Sequence, residues 1–221
     1  MDKYSRCACA VCRQLSARAS GNSRVMKHAV TLELYSYWND LRGDRLTPDR
    51  SDLDPLAIRK ILADVFVLEV DPHGEIRFRI AGARTSALIV NDLKGSRFKD
   101  LWLPQSHAAL DEMLFSVMSE SRPAVAGVKA APPGRPYLDL EMLLLPLRHL
   151  GQNHVRLMGS ISPASVPGWL GLVACEPMAL GPMRMLHPVH SANSFAKASA
   201  ASLDSARRAH LTIHDGGRPF S

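Results

Sequence analysis

The sequence contains no apolar run long enough to cross a bilayer. The longest run, Met142 to Leu147, is interrupted by Pro146, whereas a spanning helix needs about 18 or more apolar residues. The N-terminus lacks the apolar segment of a secretory signal peptide. Three common catalytic motifs are also missing: the glycine-rich phosphate loop, the zinc-binding His-Glu-x-x-His and the nucleophile elbow Gly-x-Ser-x-Gly. These absences predict a cytoplasmic protein with no membrane span and no enzymatic activity.

Cysteine is scarce, and three of the four cysteines, Cys7, Cys9 and Cys12, lie close together near the N-terminus. Three thiolates can ligate zinc or another soft metal, but the nearest histidine, His28, lies too far along the chain for a usual fourth-ligand spacing. We therefore expect no metal site. Cys175 stands alone, and we expect all four thiols to be reduced, as is usual in the cytoplasm.

Net positive charge is missing from the part of the sequence that is patterned. The formal net charge is +6, but residues 1–25 carry +4 and residues 184–221 carry +3, which leaves −1 for residues 26–183. A nucleic-acid-binding domain carries its basic residues on the folded face that meets phosphate. We therefore expect solvated basic ends and no specific nucleic-acid partner.

Periodicity divides the chain into three parts. Residues 1–25 show neither helical nor strand periodicity and predict a disordered basic leader, and Met26 is an alternative start of the functional chain. Residues 26–167 are strongly patterned, with an apolar content typical of a globular domain. After Gly168 the apolar residues become too scattered for a core, so residues 168–221 predict a flexible C-terminal tail.

The first half of the patterned region predicts helices and then strands. Apolar residues at helical spacing predict a helix from His28 to Leu41, with one stripe formed by Val30, Leu34, Tyr37, Trp38 and Leu41. Pro55 follows an N-capping aspartate and predicts a second, short helix up to residue 62. Residues 65–70 and 76–80 then predict a hairpin, and in the second strand Ile76, Phe78 and Ile80 share one face.

The second half predicts helices followed by three strands. Short helical segments occupy residues 83–103, and a longer helix follows Pro104. Strands are predicted at residues 124–130, 137–147 and 154–162, with turns rich in proline and glycine between them. This order predicts an α+β fold: a five-stranded antiparallel sheet with helices on one face, and an N-terminal helix.

Four sequence motifs occur in this order: Tyr35 to Gly43 with Pro48-Asp49-Arg50 after it, Asp64 to Val70, Phe78 to Arg84, and Leu93-Lys94-Gly95. Together, in this order and spacing, they resemble a bacterial PAS-like family long filed as a domain of unknown function. The resemblance covers residues 27–165. It implies a PAS fold and a sensory role, in which a small molecule binds between the sheet and its covering helices, or in which the domain serves as a dimerisation module without a ligand.

The resemblance does not identify a cofactor, which stays unknown. A flavin photosensor of this fold needs a reactive cysteine in the helical region, and residues 83–120 contain none. Haem needs an axial ligand there, and His107 is the one histidine in that range. We interpret His107 as a solvent-facing residue in the first turn of a helix.

Two residues are candidates for ligand binding, Arg84 and Trp102. Arg84 follows Gly82, where a PAS cavity opens, and can grip a carboxylate or phosphate group with two parallel hydrogen bonds. The alternative for Arg84 is a bond to loop carbonyls or an ion pair with a nearby carboxylate. Trp102 can line the cavity, or it can fill the core at the end of a short helix.

The sequence therefore predicts a PAS-type sensory regulator that acts through protein–protein contact, either as a homodimer or with a signalling partner. The first helix, Val30 to Leu41, is the predicted contact element, because PAS dimers often use N-terminal helices. The alternative function is a ligand-free oligomerisation or adaptor module.

Overall fold

Six strands form one antiparallel sheet in the computed structural model, which describes residues 26–149 and 152–187. In chain order they are β1 (Val65–Val70), β2 (Ile76–Ala81), β3 (Ala124–Ala130), β4 (Leu138–His149), β5 (Gln152–Pro163) and β6 (Ala179–Met185). Their order across the sheet is β2-β1-β5-β4-β3-β6. The long β4–β5 hairpin therefore lies at the centre, and the β1–β2 hairpin pairs with β5.

Three α-helices cover the two faces of this sheet. Helix α1 (Ala29–Arg42) precedes the strands, whereas α2 (Ala83–Ile89) and α3 (His107–Glu120) lie between β2 and β3. Helix α1 ends at Gly43, which has a φ of 58°, a left-handed value that glycine adopts without strain. The α+β class, the antiparallel sheet and the N-terminal helix are thus confirmed.

The inner face of the sheet, the one under α2 and α3, carries the larger apolar core. Four aromatic rings stand at its centre: Phe66 and Phe78 from the β1–β2 hairpin, and Phe98 and Trp102 from the connection to α3. Neighbouring centroids are 5.4 Å to 5.8 Å apart, and three of the four ring pairs are edge-to-face, which is a favourable arrangement for aromatic pairs.

The outer face carries a second core, formed under α1. Leu34, Tyr35 and Trp38 of the helix pack against residues of β4 such as Leu143 and Leu145. Alternate residues of β4, Met142 and Leu144, belong to the inner core instead. This two-sided burial explains the apolar run from Met142 to Leu147 in β4. A strand that is buried on both faces has no position for a solvated side chain.

Helix α1 is rotated relative to the predicted stripe. Leu34 and Trp38 are buried as expected, but Tyr35 is buried with them against the sheet, whereas Tyr37 is only partly buried at the edge of this core. The Tyr37 hydroxyl donates to the carbonyl of Asp54 over 3.1 Å and connects the helix to the next loop. The predicted helix from Pro55 to residue 62 is wrong. This segment forms successive turns in which the hydrogen bonds span three residues, because its two buried residues, Ile58 and Ile61, lie three apart.

The sheet has six strands rather than five, and β6 lies in the segment predicted to be a flexible tail. Residues 168–187 are part of the fold: Met178 is fully buried in the inner core and Leu186 in the outer core. Strand β6 contains Gly181 and Pro182, which disfavour a strand. Its place at the edge of the described sheet, where it pairs with β3 on one side, tolerates the proline. The predicted boundaries at residues 25 and 167 are otherwise untested, and the leader lies outside the described residues.

Candidate functional site

Arg84 lies at the start of α2, where the guanidinium pairs with the carboxylate of Asp64. Asp64 is buried, whereas the Arg84 side chain is 33% exposed. Burial raises the pKa of Asp64 above its usual value, and the nearby Arg84 charge opposes this rise. The ion pair is the alternative that the sequence left open for Arg84, and ligand binding by Arg84 stays a prediction.

Gly82 explains how α2 reaches this position. A Cβ atom at Gly82 would lie 2.4 Å from the carbonyl oxygens of Leu62 and Ala63, so only glycine permits the close approach. The Gly82 amide donates to the carbonyl of Val65 over 2.8 Å, and the Thr85 hydroxyl donates to the carbonyl of Asp64 over 3.0 Å. The junction of β1 and α2 is therefore fixed by several short-range bonds around the ion pair.

Trp102 is part of the aromatic centre of the inner core, with its ring 5.7 Å from that of Phe98. Its indole Nε1 is buried and has no hydrogen-bond acceptor among the described residues. His107 is half-buried, and its Nε2 donates to the Trp102 carbonyl over 3.1 Å. Trp102 thus occupies the interior between the sheet and the helices, and its role in ligand binding stays a prediction. The structure places it in surroundings different from those of Arg84.

A buried carboxylate that sequence reasoning missed anchors α1. Glu141 of β4 accepts hydrogen bonds from the backbone amides of Lys27 (2.9 Å) and His28 (3.0 Å), immediately before the helix. A negative charge at a helix N-terminus is favourable, because it compensates unsatisfied amides and the helix dipole. At the other end of α1, Trp38 donates its indole N–H to the Pro146 carbonyl over 2.9 Å. The signal in the sequence was an acid between two apolar residues of the strand, Leu140 and Met142.

Beside α1, the outer face of the sheet is incompletely covered and forms an apolar groove of about 480 Å³. Its floor is formed by Val65 and Val67 of β1, Ile80 of β2 and Met158 of β5, and its wall by Ile58 and Leu62 of the preceding loop. Ile80 is 49% exposed and Leu62 42% exposed. The groove lies on the opposite side of the sheet from the aromatic inner core.

Ile80 lies in this groove because of a β-bulge. Strict alternation predicts that Ile80 shares the buried face of Phe78. In the structure, Val67 pairs with Ile80 and Leu68 pairs with Phe78, so Arg79 is an extra residue that moves Ile80 to the outer face. A bulge of this kind is common on edge strands and re-aims the following side chain. The groove could not be found from the sequence for this reason.

Arg50 lines the groove, and two further arginines, Arg79 and Arg156, lie around Glu69 beyond the groove floor. Arg79 Nη1 lies 3.0 Å from Glu69 Oε2, and Arg156 Nη2 lies 3.6 Å from the same oxygen. Burial lowers the pKa of Arg156, and the charges of Arg79 and Arg50 lower it further, whereas Glu69 raises it. Arg50 lines the groove itself and is in no ion pair among the described residues.

Of the four cysteines, the structure describes Cys175. Cys7, Cys9 and Cys12 lie outside the described residues. Cys175 is buried, and burial raises the pKa of its thiol, which disfavours the reactive thiolate. In the described ranges, no helix has the length and apolarity that a membrane crossing requires, and no group of three or more potential metal ligands comes together.

Comparison with known proteins identifies a family for this chain. A sequence model of the PAS domain family matches residues 26–162, which is more than half of the chain and includes α1, the strands β1 to β4 and all of β5 except its last residue. The match agrees with the resemblance over residues 27–165. The search of curated proteins found no match.

Proposed function

The chain belongs to the PAS domain family, and on that basis we propose that it is a sensory regulator that acts through protein–protein contact. In this proposal it works in the cytoplasm and catalyses no reaction. Homodimerisation and contact with a separate signalling protein are both compatible with the proposal.

The observation that carries the proposal is the position of β4 between the two cores. Met142 and Leu144 pack inward among the aromatic rings, whereas Leu143 and Leu145 pack outward against α1. Close-packed interiors transmit small displacements. A change in the inner core therefore shifts the strand on which α1 rests, and α1 carries that change to a partner.

The anchoring of α1 supports this role. Its N-terminal end depends on one carboxylate, Glu141, which bonds the amides of Lys27 and His28. Its apolar side is occupied by the sheet, so the side left for a partner is polar and includes Glu33, Ser36 and Asp40. The contact element proposed from the sequence is thus retained, but with its polar side as the contact surface.

A ligand-free adaptor is the second candidate, and the filled inner core favours it. Phe66, Phe78, Phe98 and Trp102 are nearly inaccessible to solvent at the place where a PAS ligand would bind. In that case the domain would associate with partners in one fixed state, and no small molecule would change the association.

The test combines native mass spectrometry of the purified full chain with cross-linking in living cells. Native mass spectrometry reports the bound mass and the oligomeric state together. The cross-linked partners of the wild type are compared with those of Glu141→Gln, which weakens the anchor of α1, and of Asp139→Asn. The latter is a matched control, because Asp139 is exposed on the same strand.

If the chain is a regulator, the set of cross-linked partners should change in Glu141→Gln and stay the same in Asp139→Asn. A constant homo-oligomer with no bound mass, identical in all three proteins, supports the adaptor instead. A wild-type chain that remains monomeric and cross-links to no protein contradicts both candidates.

A further inference from the structure

The groove on the outer face combines an apolar lining with a cationic end. Val67 and Met158 pair across β1 and β5, and the next outward pair along the same strands is Glu69 and Arg156. Side chains two residues apart on a strand lie on the same face. The apolar floor therefore continues directly into the cluster of Arg79, Arg156 and Glu69.

Positive charge exceeds negative charge at this end. Glu69 is shared by Arg79 and Arg156, and Arg50 adds a third cation to the groove wall. One further carboxylate, Asp54, lines the groove. Its Oδ1 accepts a hydrogen bond from the Leu56 amide, within its own turn. Arg50 is therefore left without a carboxylate partner in the described part of the chain.

Two guanidinium donors at this end lack acceptors. The Nε atoms of Arg50 and Arg156 are buried and have no hydrogen-bond partner among the described residues, and the Arg156 side chain is only 11% exposed. A buried donor without an acceptor is unfavourable, and a charged one more so. An anion that accepts from the outer nitrogens of Arg50 and Arg156 would offset the cost of this buried positive charge.

We propose that the outer-face groove binds a small amphipathic anion, with its apolar part over Val65, Val67 and Ile80 and its carboxylate or phosphate group against Arg50 and Arg156. The volume of about 480 Å³ falls in the usual range for small-molecule sites, which is roughly 300–1,000 Å³. Arginine suits either anion, because its planar donors match both geometries. The site is separate from the aromatic interior and does not depend on the proposed signalling role.

The test uses the full chain and calorimetric titration with matched probes. Decanoate and decyl phosphate carry both parts of the ligand, decanol carries only the apolar chain, and acetate and inorganic phosphate carry only the charge. We expect decanoate or decyl phosphate to bind at least about tenfold more tightly than decanol, since a charge-assisted hydrogen bond contributes about one order of magnitude or more. Acetate and inorganic phosphate should bind far more weakly.

Arg50→Gln is the decisive variant, because Arg50 forms no ion pair with the described residues whose loss would disturb the fold. It should reduce decanoate affinity by about tenfold and leave decanol affinity unchanged. Arg135→Gln, in an exposed turn, is the matched control and should change neither. Ile80→Ser should weaken decanoate and decanol alike, and Phe115→Ser, on the exposed side of α3, should weaken neither.

Three results would overturn the proposal: equal affinities for decanoate, decyl phosphate and decanol in the wild type; an unchanged preference for the anion in Arg50→Gln; or loss of decanoate binding in Phe115→Ser but not in Ile80→Ser. Amide chemical shifts recorded during the titration locate the bound probe independently. Shifts confined to the inner core would also contradict an outer-face site.

Discussion

The two faces of the sheet are built in different ways. The inner face is closed by α2, α3 and four aromatic rings, and nearly all its side chains are apolar. The outer face is closed by α1 over β4 but remains open over β1 and β2, where arginines stand beside exposed isoleucine and leucine. The inner face therefore contributes the larger apolar core, and the polar groups available for recognition lie on the outer face.

Removal of the last strand should affect both faces at once and have the largest effect. In a variant of residues 26–165, β6 is missing together with Met178, from the inner core, and Leu186, from the outer core. Burial of these two side chains contributes roughly 3–6 kcal/mol, a large part of a typical total of about 5–15 kcal/mol.

Urea denaturation followed by circular dichroism measures this loss. A variant of residues 26–187 is the control and should unfold at a midpoint close to that of the full chain. If residues 26–165 gave the same midpoint, β6 would not stabilise the sheet, and the expectation that the domain ends at residue 167 would stand.

Trp102→Ala tests the inner face alone. It should lower the free energy of unfolding by about 3–5 kcal/mol, because removal of a buried aromatic side chain leaves a void. Trp169 is only partly buried against the same core, so Trp169→Ala should cost clearly less. Equal losses in the two variants, measured in urea, would show that the aromatic centre is less tightly packed than its ring distances indicate.

Arg84→Ala tests the ion pair between Arg84 and Asp64 at the junction of β1 and α2. Without Arg84, the buried carboxylate of Asp64 has no counter-charge. We expect a loss of about 2–3 kcal/mol at pH 7, below the range for fully buried pairs because Arg84 is partly hydrated. A loss of this size would identify Arg84 as a structural clamp, whereas a ligand-binding arginine would cost about 1 kcal/mol or less.

The pH dependence of this variant has a definite sign. The pKa of Asp64 is raised in the folded state by burial, so the folded protein holds this proton more tightly than the unfolded one does. Stability from this group is therefore fully present below about pH 4 and falls as the pH rises through the folded pKa. Loss of Arg84 should deepen the fall, and Asp64→Asn should abolish it, as unfolding in urea between pH 4 and pH 8 can show.

Glu141→Gln should have the smallest effect on stability and should act on the outer face only. The amide keeps one acceptor oxygen but loses the charge, so we expect a loss of about 1–2 kcal/mol. Hydrogen exchange should accelerate at the amides of α1 and stay unchanged in α3. Asp139→Asn should change stability by less than about 0.5 kcal/mol. Faster exchange in α3 as well would mean that the two faces unfold together.

The parts of the fold that could be predicted from the sequence depend on local periodicity. Apolar spacing indicated helix α1, the β1–β2 hairpin and the strands β3 to β5, and the order of these elements agreed with the PAS-like motifs. Strand β6 was missed because Gly181 and Pro182 break the local pattern, and its stability comes from backbone pairing with β3. Local residue propensities contain no information about pairing with a distant strand.

The site depends on contacts between distant residues, which periodicity does not encode. Arg84 was recognised as a charge near the PAS cavity, but its partner, Asp64, lies 20 residues earlier, and nothing local joins them. Ile80 changed faces because of one extra residue in β2. Arg50 became notable only when the fold placed it near Arg156, more than one hundred residues later in the chain.

The two-sided burial of β4 has a consequence for how α1 can be released. If α1 leaves the sheet, Leu143, Leu145 and Leu147 of its outer core become exposed to water together. A contiguous apolar surface of this kind promotes aggregation unless another protein covers it. A state in which α1 has left the sheet would therefore be short-lived. It would last only if another protein surface covered the exposed outer core as α1 left.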